Sequence, residues 1–342
     1  MVSEKTLVRA LDLLTVAPKG EVESLRAGGP GHVKEIRRVI DSKNIVAVGI
    51  SEKVSAGRPT GNLAITFYVE RKIAKNKLKG DEVIPPALPE VISGPQAIPT
   101  DVIVIGRPQL EVQDLASPLV KRTPIQPGFS IGHVKVTAGT LGAIVKQGDQ
   151  LMLLSNCHVL ANSGKARKGD KILYPGDADE GRLPDDLVGE LADFVKFKTG
   201  GDFVNRVDCA VAIPLPARLA EVVAEIKGLG IPKGVIKPKR GMKVTKVGRT
   251  TGKSTGTIKD VNFRMTLNYP GVGEVGFLDQ VFCSRYTNNG DSGSIVIDNA
   301  SGKAVGLHFA GYPDQDGVKG SVFNPIDAVL DALKVKLVTT SI

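Results

Sequence analysis

The sequence predicts a mainly β protein preceded by a small α/β unit, and three observations predict it. Short apolar segments recur at even spacing from about residue 140 to residue 309, broken by turns that contain glycine or proline. Helical periodicity is confined to brief stretches. Between the two parts lies an interval, Asp81 to Pro108, that carries Pro85, Pro86, Pro89, Pro95, Pro99 and Pro108. It can hold extended chain but no long helix. At 342 residues the chain has room for about two domains, each with its own core.

Taken in order, residues 1–30 read as irregular with one short helix. His32 to Ile40 is apolar at 33, 36, 39 and 40 and reads as an amphipathic helix. Asn44–Ile50 and Leu63–Val69 read as paired strands, and Asp101–Ile105 as a third. Residues 1–107 are therefore assigned to a small α/β N-terminal domain with a regulatory, docking or bracing role. Residues 108–127 read as a proline-rich linker, in which the dibasic pair Lys121-Arg122 invites nicking. Residues 128–342 form the larger domain. Gly139–Val145 opens it, a strand ending near His158 follows, and polar Gly164–Asp186 reads as a surface loop. Val188–Phe197 returns to strand. Leu219, Val222, Val223 and Ile226 place a helix over Ala217–Lys227, with the boundary between two lobes near 217–235. The second lobe holds strands at 242–248, 256–258, 275–283, 294–297 and 304–309. It closes with a helix over Pro325–Leu333, with Asn324 as its N-cap.

Composition removes several function classes. No apolar stretch approaches the roughly 18–20 residues that span a membrane, and Glu4, Lys5 and Arg9 interrupt the start of the chain where a signal peptide would be apolar. Cys157, Cys209 and Cys283 lack metal-ligand spacing and read as reduced thiols, as expected for a cytoplasmic protein. The net charge of +9 raises nucleic acid as a partner. Its clusters, Arg71–Lys79 and Lys233–Arg240, carry no binding signature, there is no tryptophan platform, and a solvated face accounts for them. Gly248-Arg249-Thr250-Thr251-Gly252-Lys253-Ser254 imitates a phosphate loop but has three residues between its glycines where four are needed, and strand follows it. It reads as a β-turn. No cofactor or metal is expected.

The chemistry centres on Asn288-Asn289-Gly290-Asp291-Ser292-Gly293-Ser294, a glycine-flanked turn entering an apolar strand. A serine hydroxyl becomes a nucleophile only with a base beside it and donors for the oxyanion it creates. Glycines on both sides let the backbone turn sharply enough to aim its N–H groups at one point. Of His32, His133, His158 and His308, His158 ends the apolar run Leu151–Leu160 and supplies the base. Asp208, opening the strand Val207–Ile213, supplies the carboxylate that orients it. The order His, Asp, Ser is one of the known triad orders.

The segments S-N-C-H-V-L, V-D-C-A-V-A, N-G-D-S-G-S-I-V and G-L-H-F-A-G, in this order, resemble the trypsin-like (chymotrypsin-fold) serine peptidases, closest to the compact bacterial and viral types without disulfides. The resemblance covers about residues 128–335. It implies two six-stranded β-barrels with a C-terminal helix, and a serine endopeptidase acting on protein or peptide substrates. It implies His158, Asp208 and Ser292 as catalytic and the Gly290 and Ser292 amides as the oxyanion hole. Asp291 is expected in an internal ion pair. His308, Tyr286 and Ala310 are expected to line the specificity pocket, with a preference for Glu or Gln before the scissile bond. The alternatives are an inactive binding module of the same fold, or a peptidase that needs a partner to activate it.

Overall fold

The computed structural model describes residues 2–16, 40, 42–79, 82–88, 97–111, 123–312 and 320–342. The expected helix at His32–Ile40 and the dibasic pair Lys121-Arg122 lie outside the described residues. The chain opens with helix α1 (Glu4–Thr15), capped by the Ser3 hydroxyl, which accepts from the Thr6 amide at 3.1 Å. Leu7, Ala10, Leu11 and Leu14, at helical spacing, bury against Val48, Ile50, Ile65 and Phe67. Strands β1 (Ile45–Ser55), β2 (Arg58–Val69), β3 (Thr100–Val104) and the short β4 (Gln109–Leu110) follow.

The next strands are β5 (Ser130–His133), β6 (Gly139–Thr140), β7 (Ala143–Gln147) and β8 (Gln150–Ser155). After a single helical turn, α2 (Cys157–Leu160), come β9 (Lys171–Leu173), β10 (Leu187–Phe194), β11 (Phe203–Asn205) and β12 (Ala210–Pro214). The pairing order β7-β8-β12-β10-β9-β5-β6 returns to its own start, because β6 runs straight on into β7. At the junction the Leu141 amide donates to Phe129 on one side, at 2.8 Å, and the Gly142 amide to Leu154 on the other, at 2.9 Å. One stretch of chain thus closes a six-stranded barrel around Ile131, Leu153, Val188, Leu191 and Ala212.

The second closed ring uses β13 (Lys243–Gly248), β14 (Gly252–Tyr269), β15 (Gly273–Ser284), β16 (Ile295–Asp298), β17 (Ala304–Tyr312) and β18 (Gly320–Pro325). Its order, β15-β18-β17-β16-β13-β14, is closed by β14 pairing β15. Helix α3 (Ile326–Leu333) packs Ile326, Val329 and Leu333 against Val145, Leu154 and Leu307, bridging the two barrels, and β19 (Lys336–Leu337) joins β7. The fold is mainly β, with the two-barrel arrangement and C-terminal helix expected from the sequence. β14 also outruns the barrel. Its far half pairs β1, Ala47 opposite Met265, and the sheet continues through β2 and β3. Among the described residues no helix is long and apolar enough to cross a membrane.

Three local expectations are corrected. The helix expected over Ala217–Lys227 is a 3-10 turn, Pro216–Glu221, followed by extended chain. There Val222, Ala224 and Ile226 alternate into the core, Val222 bridges Ile125, and Leu219 is left 41% exposed; period two wins over period 3.6. The loop expected over Gly164–Asp186 contains β9, whose Ile172 and Leu173 are buried. Asn324 does not cap α3; Pro325 holds that position, and the Asn324 side chain is used elsewhere.

Asp260 sits buried where β14 passes under β1, its Oδ2 accepting from the Tyr68 hydroxyl at 3.0 Å and its Oδ1 from the Asn262 amide at 2.8 Å. Gly49 makes room for it, since a Cβ there would collide with the carboxylate. Burial pushes this carboxyl up to about 7, against the opposing pull of those hydrogen bonds. The unfolded chain releases its proton near pH 4 while the folded chain keeps it until about pH 7, so the folded state binds more protons in between and stability falls as pH rises through that window. Chemical denaturation at pH 5 and pH 8 should show Asp260→Asn losing about 2–3 kcal/mol less than the unmodified chain between the two. Equal losses would mean that this carboxyl titrates normally.

Candidate active site

Strands β8 and β12 are antiparallel neighbours, with Ser155 opposite Ala210. Residues just past the end of one and just before the start of the other are therefore adjacent. His158, in α2, meets Asp208 there: Nδ1 to Oδ2 is 2.5 Å, and the His158 amide donates to Oδ1 at 3.2 Å. The carboxylate is buried and further held. The Tyr269 hydroxyl donates to Oδ2 at 2.8 Å, the Asp208 amide donates to Asn324 Oδ1 at 3.0 Å, and Asn156 Nδ2 donates to the Asp208 carbonyl at 2.7 Å. When Nδ1 of a neutral imidazole donates to the carboxylate, the lone pair falls on Nε2. Nε2 is buried and has no hydrogen-bond partner among the described residues.

Ser292 lies in the turn before β16 and is buried. Its hydroxyl donates to the Phe309 carbonyl at 3.2 Å. The structure thus brings His158 and Asp208 together and leaves the Ser292 hydroxyl on another acceptor, from which rotation about χ1 would release it. Gly290 and Gly293 have φ of 96° and 95°. A side chain at 290 would collide with Thr250, and one at 293 with Ser155, so both positions require glycine.

Asp291 is the anchor of this turn. Lys246 Nζ lies 2.9 Å from its Oδ2, with both side chains buried. The amides of Thr250 and Thr251 each donate to Oδ1 at 3.1 Å, and the Asn288 amide and the Thr251 hydroxyl to Oδ2 at 2.9 and 2.7 Å. Burial raises the Asp291 carboxyl, but the Lys246 ammonium and these donors outweigh it and hold the group below the usual carboxylate range. The phosphate-loop look-alike is thus a β-turn whose amides clamp Asp291.

His308, in β17, is wholly buried, and the Tyr286 ring centroid lies 6.2 Å from its own. Ala310 and Gly311 pair antiparallel with Leu110 and Gln109 of β4. The next residue, Glu111, is buried: His308 Nε2 is 2.6 Å from its Oε2 and Arg285 Nη1 is 2.8 Å from its Oε1. The Gly290 amide donates to the Glu111 carbonyl. The second expected oxyanion donor, the Ser292 amide, makes no hydrogen bond to a described residue. The remaining described histidine, His133, is a structural group between Asp170 and the Lys135 amide. Cys157 and Cys209, beside the triad positions, are free, and burial followed by the Asp208 charge pushes both thiols up, so they remain protonated.

Sequence reasoning missed Glu111, Arg285, Lys246, Tyr269 and Asn324. Lys246 left a trace, a lysine inside the run Val244–Gly248, all of which is buried. The other four gather only through pairings between distant strands.

No known protein-family profile matches the chain, and no curated protein matches it. Among solved structures it is similar to Protease A of Thermobifida fusca, at 20% identity and a TM-score of 0.45, over 63% of this chain and 99% of that one. It is similar to a glutamic-acid-specific serine protease that uses a histidine triad in substrate binding, at 16% identity and a TM-score of 0.45, over 63% of this chain and all of that one. The chymotrypsin of Cellulomonas bogoriensis matches at 19% identity and a TM-score of 0.43, over 63% of this chain and 99% of that one.

Removing one partner of the Lys246–Asp291 pair leaves a buried charge uncompensated. Lys246→Met should lower unfolding free energy by about 3–5 kcal/mol in urea denaturation. The double variant Lys246→Met/Asp291→Asn should recover part of that loss. A single variant as stable as the parent would remove the pair from its anchoring role.

Proposed function

We propose that this chain is a serine endopeptidase that hydrolyses peptide bonds through Ser292, His158 and Asp208 and prefers glutamate before the scissile bond. One observation carries this reading: a backbone carbonyl rests on the Gly290 amide while the carboxylate of the same residue rests on His308 and Arg285. That is how a peptide would lie if an oxyanion donor and a carboxylate pocket belonged to one site. Arg285 adds charge to the histidine, which favours glutamate over glutamine, since a bidentate-capable cation gains more from a carboxylate than from an amide.

In the mechanism, Ser292 Oγ turns from Phe309, gives its proton to His158 Nε2 and attacks the carbonyl carbon. Asp208, steadied by Tyr269, holds the imidazole in the tautomer that accepts the proton and stabilises the imidazolium. The Gly290 and Ser292 amides take the oxyanion. His158 then protonates the leaving amine, and a water activated by the same imidazole hydrolyses the acyl-enzyme. Because Lys246 supplies the partner of Asp291 from within the chain, the oxyanion loop needs no outside cation, which favours this reading over partner activation.

Labelling by a fluorophosphonate probe, absent in Ser292→Ala, is the expected result, and no labelling of any form would favour the binding-module alternative. In a peptide scan, cleavage should follow glutamate. Arg285→Ala should narrow the preference for glutamate over glutamine by about tenfold or more. Cleavage mainly after arginine or leucine would overturn the pocket assignment.

A further inference from the structure

We infer that Tyr269 is a positioning residue: it carries the fit of the substrate residue just before the scissile glutamate to the Asp208 carboxylate. An apolar residue at that place then raises turnover more than affinity. This rests on the peptidase reading above and adds a substrate class, peptides with a leucine-sized residue immediately before the glutamate. Tyr269 ends β14 and is buried. Its hydroxyl donates to Asp208 Oδ2 at 2.8 Å, the oxygen that His158 Nδ1 meets at 2.5 Å. Burial, followed by the Asp208 charge, pushes that hydroxyl up, so it keeps its proton and donates. A phenylalanine would fill the same space, so the hydroxyl serves the carboxylate rather than the packing.

The ring of Tyr269 belongs to an aromatic row. Phe197 lies 4.5 Å away between centroids and Phe277 6.2 Å, and Phe277 is 5.1 Å from Phe309 of β17. The row reaches the place where a peptide would lie. β4 runs against both β17 and β14. Its Leu110 is half-buried and packs on the cluster that holds Tyr269, Phe277 and Phe309, whereas Gln109 is exposed and Glu111 takes the carboxylate site. A peptide lying as residues 109–111 lie therefore presents one apolar side chain to the row, the one before the glutamate.

Close packing turns that contact into a hydrogen bond. A side chain that fills the subsite gives the row partner atoms on the cleft side and holds the ring against Phe197. The hydroxyl then stays on Asp208. A smaller residue leaves a gap, the ring gains room to tilt, and Asp208 loses a donor. The consequence falls on the chemical step. Binding the peptide asks nothing of Asp208, while the imidazolium that forms at His158 needs a carboxylate held in place. An interaction made only in the transition state appears in kcat, with KM little changed.

The test is kcat and KM of the full chain for two peptides that differ only in leucine or alanine before the glutamate. Active sites are counted by fluorophosphonate labelling, so that misfolded protein does not enter the rates. Residues 109–111 compete with both peptides alike, raise both KM values by one factor and leave the comparison intact. The unmodified chain should show a kcat about tenfold higher for the leucine peptide, with KM values within about twofold. Tyr269→Phe should lower kcat for the leucine peptide about tenfold and bring the two peptides to within about twofold of each other. Phe197→Leu, which loosens the ring and keeps the hydroxyl, should narrow the ratio in the same direction. A ratio unchanged in both variants, with the two peptides slowed equally, overturns the proposal. So does a leucine advantage that appears in KM alone. A chain that cuts glutamate peptides without regard to the preceding residue also overturns it and leaves the peptidase reading standing. If no form labels or cuts peptide, the peptidase reading fails, and this proposal with it.

Discussion

The buried ion pair between Lys246 and Asp291 is the contact on which the site depends. Two charges taken out of water cost several kcal/mol each, and their attraction offsets this only where further hydrogen bonds complete the shell. Here four donors besides the ammonium converge on the carboxylate. Two of them are amides of the turn between β13 and β14, so the register of the second barrel fixes where Asp291 sits, and with it the Gly290 amide. The same turn carries Arg249, whose Nε and Nη2 each lie 2.7 Å from a carboxylate oxygen of Asp179, buried in the first barrel. One turn therefore sets both the loop around Asp291 and the seating of one barrel on the other.

The placement of His158, Asp208 and Ser292 depends on a second constraint, the closure of the barrels. β6 and β7 share a stretch of chain, and Thr140, at the end of β6, reaches the turn around Ser292. The Thr140 amide donates to the Ser292 carbonyl at 2.7 Å and its hydroxyl to the Gly290 carbonyl at 2.9 Å. The end of β14 supplies Tyr269 to Asp208, while its outer half carries β1. The strand that holds the Asp208 carboxylate is thus the strand that anchors the N-terminal sheet.

His158, Asp208 and Ser292 stood out in the sequence through short-range patterns: His158 ends an apolar run, Asp208 opens one, and Ser292 lies in a glycine-flanked turn entering one. Most strands of both barrels were legible for the same reason; β5, β9 and β18 were not. The helix expected at Ala217–Lys227 failed because Val222 and Ile226 fit both periods, and the bridge from Val222 to Ile125 goes with the period of two. Asn324 looked like a helix cap from its neighbours alone. Its actual partners, the Asp208 amide and Gln280, are distant in sequence and could not be counted from local spacing. Glu111 was hidden most completely, in a proline-rich interval whose local features suggested only a linker, because its role comes from the register of β4 against β17.

The short tether between β3 and β4 explains why that register can be occupied before any chemistry. A segment attached by so few residues faces its site at an effective concentration on the order of millimolar, so an intrinsic affinity of about −4 kcal/mol is enough to fill it. One charged hydrogen bond contributes about 1.5–3 kcal/mol, and Glu111 has contacts to both His308 and Arg285 in addition to its strand pairing. Occupancy is then the default state of the chain. A free peptide must compete with it, and it gains access when it matches that concentration or when the β1–β14 pairing opens.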